Sequence, residues 1–402
     1  MTDRQAPAST KAAAPPGPAA FHLSINNPVV RAILWQIVLG LAVVLVGWFL
    51  VGNTMDNLAR LSIASGFGFL DREAGFQIGE SLVEFGPQDH YSTAFLVGIL
   101  NTLKISGIGI VLATVLGVVL GVARLSSNWL VARIASFYVE TVRNVPLLLQ
   151  LFLWYALLTE GLPGPRQAFE PLPGIFLSNR GLKLPAPADD PIWAWVAAIF
   201  GLGIILTLVI AAWNNKRQAT TGKRLPMLPI GSGLIVGLPL LVLLAGGGGA
   251  IDMPVLQGFN FRGGMTLSPE FAALLFGLVI YTAAFIGEIV RSGILAVPRG
   301  QTEAATALGL TRAQLLRLVI LPQALRVIIP PTTSQYLNLT KNSSLAVAIG
   351  YPDFVSIANT TINQTGQAVE GVLSIMAAYL IISLSLSFLM NWYNSRVALV
   401  ER

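Results

Sequence analysis

Cysteine is absent from the 402-residue sequence, and histidine is nearly absent, with only His22 and His90. Disulfide bonds and thiolate metal sites are therefore excluded. A histidine-based metal site needs several ligands, and two histidines do not supply them. We expect this chain to hold no metal and no cofactor.

A phosphate-binding loop of the form G-x-x-x-x-G-K-[ST] is also missing. The one Gly-Lys pair, Gly222–Lys223, is followed by Arg224, and no glycine stands five residues before Gly222. We therefore expect that the chain is not an enzyme. Any ATP hydrolysis linked to its activity would take place on a separate partner subunit.

Charged residues are scarce. They make up 11% of the chain, against about 25% in ordinary soluble proteins, and 54% of the residues are hydrophobic. This composition indicates an integral membrane protein. The net charge of +6 then reflects the loops that set membrane topology, rather than a nucleic-acid partner.

Long apolar stretches are abundant, and eight of them reach the roughly 20 residues that a membrane-spanning helix needs. The first begins after Arg31 and is longer than the apolar core of a signal peptide, so we expect an uncleaved helix. Residues 1–26 are rich in Ala, Pro, Ser and Thr and predict a disordered tail. The predicted fold is an all-α integral membrane protein with about eight transmembrane helices, at approximately 32–52, 94–123, 131–158, 191–213, 228–246, 270–293, 323–350 and 371–394.

Basic residues mark the expected cytoplasmic side. With eight spans both termini lie on one side, and most Lys and Arg fall in the segments on that side, most clearly in NNKRQATTGKRL at 214–225. This bias predicts cytoplasmic termini. The long outer segments 53–92 and 159–190 carry most of the acidic residues. They are either solvated loops or a surface for a soluble partner.

A helical hairpin is predicted in the cytoplasmic segment 294–322. Thr302 is a suitable N-cap for a first helix, and Glu303 then lies at its positive end. Gly309 fits the left-handed position that ends a helix. A connection of nearly thirty residues with its own capped helices is too long for a simple loop, and favours docking into a partner.

The second helix of this hairpin begins with a capping-box pattern. Thr311 and Gln314 have the required spacing, an apolar stripe follows, and we expect Pro322 to end the helix. The stripe consists of Leu315, Leu316, Val319 and Ile320.

Four motifs carry a family resemblance. The stretch PRGQTEAATALGLTRAQLLRLVILPQALR resembles the coupling loop of ABC importer permeases. The flanking stretches GEIVRSGILAVPRGQ and PPTTSQYLNLTKNSSLAVAIG, and ETVRNVPLLLQ at 140–150, are similar to polar amino acid permeases. The chain most resembles the longer Q-type permeases of general L-amino-acid and glutamate/glutamine/aspartate/asparagine importers.

The resemblance implies a division of the chain into segments. A tail precedes an extra N-terminal span with its periplasmic segment, and a five-helix permease core is interrupted by an insertion with two more spans and by the coupling loop. In order, these are 1–26, 27–93, the core at 94–158 and 269–395, the insertion at 159–268 and the coupling loop at 294–322.

The resemblance also implies partners in a bacterial inner membrane. They are a second permease subunit of different sequence, two ATP-binding cassette subunits that hold Mg-ATP, and a periplasmic amino-acid-binding protein. The hairpin would convert the closure of the ATPase subunits into movement of the membrane spans. The residues implied in this coupling are Glu303, Ala304, Ala305, Gly309, Leu315, Leu316 and Pro322.

Polar residues inside the predicted spans are candidates for a substrate path, since such residues are costly in lipid and usually face a cavity or a partner. We expect Lys341 to meet a substrate carboxylate, in one stripe with the polar residues around it. Pro330–Pro331 is expected to break the start of this span, as interrupted helices often bind substrate in transporters. The candidate path residues are Lys341, Asn342, Gln335, Asn338, Gln150 and Tyr281.

Other intramembrane polar residues are candidates for a gate or a structural charge network. Glu140 and Arg143 have the i, i+3 spacing that allows them to pair, and Pro146 should loosen their helix. Lys104 is close enough to the outer surface to extend toward it. For every polar residue, hydrogen bonding between helices remains an alternative role. The candidate network comprises Glu140, Arg143, Asn144 and Glu288.

An ion-coupled secondary amino acid transporter is the alternative hypothesis. It predicts inverted internal repeats, and the sequence has neither a second copy of the 303–326 pattern nor an acidic cluster at span centres. A membrane scaffold without a path is a third hypothesis, and the polar stripes argue against it.

Overall fold

The computed structural model describes residues 28–60, 65–222 and 225–397. The chain divides into two compact units, Met1–Gly66 and Phe67–Arg402. The boundary lies inside the predicted segment 27–93. The predicted tail 1–26 lies outside the described residues, as do Lys223 and Arg224 of the basic loop.

The first unit contributes one described helix, α1 (Pro28–Arg60). Its residues Val30–Thr54 are long and apolar enough to cross a membrane. Its side chains are exposed along almost the whole helix, as expected where lipid is the solvent.

The second unit contains the remaining helices. Together with α1, the described part of the chain has seven helices that are long and apolar enough to cross a membrane, or eight if one bent pair counts as a span. The predicted all-α membrane fold is therefore confirmed. The helices of this unit are α2 (Tyr91–Ala123), α3 (Trp129–Asn144), α4 (Leu147–Thr159), α5 (Pro191–Thr221), α6 (Met227–Ser232), α7 (Leu238–Ala245), α8 (Pro269–Leu295), α9 (Arg299–Ala307), α10 (Arg312–Leu315), α11 (Leu321–Asn342), α12 (Phe354–Thr365) and α13 (Ala368–Val397).

The buried core forms around α8, which packs against α2, α4 and α11. Glycines on α2 allow a close approach to α8. A Cβ atom at Gly121 would lie 2.7 Å from the carbonyl oxygen of Gly287 and 2.7 Å from Cβ of Val290. Small residues serve this purpose in membranes, where close packing takes the place of the hydrophobic effect between helices.

The bent pair is α3 and α4, which meet at 105°. We expected one span at 131–158, loosened at Pro146. The structure instead breaks the helix at Val145, which is extended with φ −101° and ψ 128°. The residue before a proline is pushed out of the helical region, and Pro146, without an N–H, then precedes α4.

The hairpin α9–α10 differs from the prediction at its start. The first helix begins at Arg299 with Pro298 at the N-cap, so Thr302 lies inside the helix and Glu303 in its second turn. A proline before the first turn loses no hydrogen bond, since the first N–H groups of a helix have no intrahelical partner. The prediction for Gly309 is confirmed by its φ of +77°.

The second hairpin helix does not end where we predicted. The capping box of Thr311 and Gln314 is present, as predicted. However, α10 continues through a π-helical turn, Leu316–Ile320, into α11. Pro322 lies in the first turn of α11, where proline is tolerated, and Pro330–Pro331 stay inside that helix. The predicted end at Pro322 and the predicted break at Pro330–Pro331 are therefore both wrong.

Short β-strands lie in two segments, 169–187 and 251–267, at the two ends of the predicted insertion 159–268. These strands were not predicted. One antiparallel sheet has the order β1-β2-β3-β8, and Leu182 of β3 pairs with Leu267 of β8. The sheet therefore joins residues that precede α5 to residues that follow α7. The strands are β1 (Phe169–Leu172), β2 (Ile175–Ser178), β3 (Gly181–Leu184), β4 (Ala186–Pro187), β5 (Ile251–Asp252), β6 (Val255–Gln257), β7 (Asn260–Arg262) and β8 (Met265–Leu267).

The core has two ends, which differ in the elements that adjoin α8. The strand end is where α8 begins, directly after β8, and the hairpin end is where α8 finishes, before α9. The predicted seventh span, 323–350, ends close to where the structure ends the helical stretch that could cross a membrane, at Ile349. Its α-helical part, α11, stops at Asn342. A 3-10 turn, Ser343–Ile349, and helix α12 follow it, and α12 was not predicted. Its aromatic residue Phe354 packs on Phe95 of α2 with ring centroids 5.2 Å apart.

Candidate functional site

A polar pocket lies between the middle of α8 and the C-terminal half of α11. We name it the central pocket, and its volume is about 280 Å³. Four of the predicted path residues line it together, and the other two lining residues were not predicted. The lining residues are Tyr281, Thr282, Phe285, Gln335, Asn338 and Asn342.

Helical spacing explains how these side chains meet. Gln335, Asn338 and Asn342 are separated by three and four residues, so they lie on one face of α11. On α8, Tyr281 and Phe285 are four residues apart, and their ring centroids are 4.9 Å apart. The pocket thus combines uncharged hydrogen-bonding groups with an aromatic wall, which suits a small polar ligand.

Lys341 does not belong to this pocket. It is exposed and lines a separate groove of about 770 Å³, bordered by Leu373, Met376 and Leu380 of α13. The predicted single stripe is therefore wrong for Lys341. The physical reason is its position one residue before Asn342, which turns its side chain about 100° around α11.

Gln150 does not line the central pocket, and instead stabilises the bend between α3 and α4. It is buried, and its Nε2 donates hydrogen bonds to the carbonyl oxygens of Val142 and Val145, both at 3.0 Å. These carbonyls have lost their helical partners because the chain breaks at Pro146. Broken helices at membrane depth need such partners for their backbone groups.

Arg143 lies beside the central pocket. Its guanidinium carbon is 5.0 Å from the ring centroid of Phe285, which is a lining residue. The predicted pairing of Glu140 with Arg143 is wrong, since neither forms an ion pair within the described part of the chain. Glu140 and Asn144 are exposed on α3.

Glu288 does belong to a charge network, with partners that we did not predict. Its carboxylate contacts the guanidinium of Arg124, which directly follows α2, and accepts from Nη2 of Arg291 at 2.6 Å. Arg124 also donates from Nε to Ser136 on α3 at 3.3 Å. The network joins α2, α3 and α8 at the hairpin end.

Comparison with known proteins identifies the family of this chain. Residues 225–399 match the family described as a binding-protein-dependent transport system inner membrane component. The chain is 53% identical to the permease protein YhdX of Escherichia coli (strain K12), over 94% of this chain and 97% of that protein. The chain belongs to the amino-acid ABC transporter permeases.

Two further relatives support the assignment. The general L-amino acid transport system permease protein AapQ of Rhizobium johnstonii is 48% identical over 95% of this chain and 96% of its own length. The glutamate/glutamine/aspartate/asparagine transport system permease protein BztB of Rhodobacter capsulatus is 42% identical over 97% of this chain and 99% of its own length.

Membership in the family decides three earlier expectations. The permease is a multi-pass inner membrane component, and it is a component of a transport system. The family is that of binding-protein-dependent transport systems, and the relatives are ABC transporter permeases, so the hypothesis of an ion-coupled secondary transporter is not supported.

The hairpin of the permease exposes some of the predicted coupling residues and buries others. Glu303, Ala304, Gly309, Leu316 and Pro322 are exposed, whereas Leu315 is half-buried. Ala305 is buried. Two leucines that we did not predict are strongly exposed: Leu308 and Leu318.

The strand end of the permease contains an ion pair that the sequence did not reveal. Lys104 Nζ lies 2.5 Å from Oε1 of Glu80 and 4.5 Å from the ring centroid of Phe271. The other carboxylate oxygen of Glu80 accepts from the hydroxyl of Ser268 at 2.7 Å. Lys104 is therefore paired with a residue of the predicted outer segment 53–92, and its extension toward the outer surface stays a prediction.

Asp353 is a second residue that sequence reasoning missed. Its side chain caps α12 by accepting from the N–H of Ser356 at 2.9 Å, and it accepts from the Tyr379 hydroxyl at 3.1 Å. Burial raises the pKa of Asp353 to about 6, although these hydrogen bonds oppose the shift. An Asp before an apolar helix is a recognisable capping signal, so the cap itself could have been predicted.

Proposed function

We propose that this permease carries polar L-amino acids across the inner membrane by way of the central pocket. The observation that carries the proposal is the pocket itself. At about 280 Å³ it is smaller than typical pockets for drug-sized ligands, which start at about 300 Å³. Its amides, hydroxyls and aromatic rings suit the size and polarity of an amino acid.

The proposed substrate class also rests on the relatives. AapQ is described as a general L-amino acid permease, and BztB as a permease for glutamate, glutamine, aspartate and asparagine. Both are similar to this chain over almost its whole length. We infer that the substrate here belongs to the same chemical class, the polar L-amino acids.

The proposed assembly contains four kinds of subunit. This permease pairs with a second permease of different sequence, two ATP-binding cassette subunits bind and hydrolyse Mg-ATP, and a periplasmic amino-acid-binding protein delivers the substrate. The absence of a phosphate-binding loop in this sequence supports a separate ATPase. The lipid bilayer surrounds the spans, and no nucleic acid takes part.

The proposed coupling element is the hairpin α9–α10. The exposed Leu308 and Leu318, with basic residues around them, fit a helix that docks in a groove of the ATPase. We infer that Glu303, Ala304 and Gly309 contact the ATPase. Ala305 is buried and Leu315 is half-buried, and we infer that they pack the parts of the hairpin against each other.

The proposed orientation has both termini and the hairpin end in the cytoplasm. It rests on the excess of Lys and Arg in the loops on that side. The strand end, with its sheet, then faces the periplasm and the binding protein.

Uptake into proteoliposomes tests the proposal. The complex purified with this chain should accumulate L-glutamate or L-glutamine when ATP is on the hairpin side and the binding protein on the strand side. Asn338→Leu, which removes an amide from the central pocket, should reduce uptake at least tenfold. Asn363→Leu, the same change at an exposed position of α12, serves as the control.

Two results would contradict the proposal. Uptake that continues without ATP would remove the ABC importer mechanism. Unchanged uptake by Asn338→Leu would remove the central pocket from the path. Glu303→Lys tests the hairpin separately, because it should abolish uptake while membrane insertion and the amount of the chain stay normal.

A further inference from the structure

We propose that Arg143 is the cationic group that binds the substrate's α-carboxylate at the central pocket, and that Gln150 positions it. The inference rests on the proposed function, because it names a specificity-determining residue for that path. The cation predicted from the sequence, Lys341, lies in another groove.

The central pocket has no charged lining residue of its own. Its six lining side chains are aromatic, amide or hydroxyl groups. An amino acid carries a carboxylate, and a carboxylate inside a membrane protein is costly unless a cation or several donors compensate it. The pocket therefore needs a positive group at its edge.

Arg143 is placed to be that group. Its guanidinium carbon lies 5.0 Å from the ring centroid of Phe285, which lines the pocket from α8. Stacking on an aromatic ring leaves the edge of the guanidinium plane free, and that edge presents paired N–H donors which match a carboxylate.

Arg143 is also available for binding. It is exposed, and within the described residues it has no carboxylate partner. The nearest acidic candidate in sequence, Glu140, does not pair with it. Glu288 is occupied by Arg124 and Arg291. A cation left unpaired next to a polar pocket fits an anion supplied by the ligand.

The local backbone holds Arg143 at this place. Arg143 stands in the last turn of α3, one residue before the helix ends. The buried amide of Gln150 bonds to the carbonyl oxygens of Val142 and Val145, on either side of this turn. The 105° bend therefore has a fixed shape, and Gln150 is a positioning residue for the guanidinium.

Equilibrium binding without the binding protein provides the test. The whole transport complex, in lipid nanodiscs, is titrated with radiolabelled L-glutamine and separately with the α-amide of glutamine, which lacks the α-carboxylate. The binding protein is omitted, since its own selectivity would mask that of the permease. The variants are Arg143→Gln, Arg143→Lys and Gln150→Leu, and Arg133→Gln on the same helix is the matched control.

The expected results concern the preference for acid over amide. Arg143→Gln should raise the Kd for glutamine about 10- to 100-fold, the range expected for losing a charged hydrogen-bonded partner. It should leave the Kd for the α-amide nearly unchanged, so the preference falls toward one. Arg143→Lys should lose part of the preference, because an ammonium lacks the paired donors. Gln150→Leu should lower the preference without abolishing binding, and Arg133→Gln should match the wild type.

The overturning results are distinct. An unchanged Kd for glutamine in Arg143→Gln, or an equal loss for acid and amide, would remove Arg143 from carboxylate binding. If Arg143→Gln does not assemble, an unchanged preference in Arg143→Lys has the same meaning. A wild-type complex that transports but binds no glutamine directly also overturns the inference. A wild-type complex that does not transport any polar amino acid removes the proposed function and this inference with it.

Discussion

Arg124 and Glu288 form an ion pair between positions 164 residues apart in the chain. Arg124 directly follows α2 and Glu288 lies in the last third of α8, so the pair joins two helices that also pack through glycines. The side chain of Arg124 is only 11% exposed, and Arg291 contacts the same carboxylate. The pair therefore fixes the hairpin end of the core, where movement of the hairpin would reach the spans.

Glu288→Gln should destabilise the permease. The change leaves the largely buried side chain of Arg124 without its charged partner, and losing such a hydrogen-bonded charge costs about 1–3 kcal/mol. Thermal unfolding in detergent should show a lower midpoint than the wild type. Glu140→Gln is the control, since Glu140 is exposed and forms no ion pair within the described residues. Equal midpoints for wild type and Glu288→Gln would contradict the role given to the network.

Gly309→Ala should impair coupling through backbone strain alone. Gly309 has a φ of +77°, and no atom lies within 4 Å of the position that its Cβ would take. A left-handed conformation costs a residue with a side chain about 1–2 kcal/mol, so the hairpin turn would open or shift. ATP-driven uptake should fall while the amount of inserted protein stays normal.

Gly300→Ala is the matched control for that change. Gly300 also has open space around it, but it lies inside α9, where alanine is favoured over glycine. Its uptake should equal that of the wild type. A similar loss in both variants would assign the effect to the added methyl group rather than to the turn at Gly309.

Gly121→Ala should loosen the contact between α2 and α8. The new methyl group would lie 2.7 Å from the Gly287 carbonyl oxygen, so the helices must separate, at a cost of about 1–3 kcal/mol. The midpoint of thermal unfolding should fall. Gly107→Ala on the same helix meets no atom within 4 Å and should not lower it. Unchanged stability of Gly121→Ala would mean that α8 adapts without cost.

Asp353 should make stability depend on pH. Burial raises its pKa from the ordinary value of 3.8 to about 6, so the folded state holds the proton more tightly than the unfolded state does. This contribution is fully present below about pH 4 and is lost as the pH rises through about 6. The difference is on the order of 2–3 kcal/mol.

The variant Asp353→Asn isolates that contribution. Asparagine keeps the N-cap acceptor of α12 but does not titrate in this range. Unfolding midpoints measured from pH 4 to pH 7 should decline more steeply for the wild type than for Asp353→Asn. Parallel curves would show that the carboxyl of Asp353 does not titrate between these limits.

Much of the fold could be predicted from the sequence, because the signals involved are local. The number of spans follows from apolar length, and a capping box needs only Thr311 and Gln314 at the right spacing. The left-handed turn at Gly309 is a property of one residue. The shared face of Gln335, Asn338 and Asn342 follows from helical periodicity, which also should have separated Lys341 from them.

Only the tertiary structure decided which distant groups meet. The sequence does not specify that α2 and α8 approach closely enough for Arg124 to reach Glu288, that Lys104 pairs with Glu80, or that Arg143 stacks on Phe285. These contacts depend on how helices pack and on the angle of the break at Pro146. By itself the sequence determined the membrane helices and the family motif, since both depend only on residues that are close together in the chain. The positions of the charges around the pocket arise from packing between segments far apart in the chain.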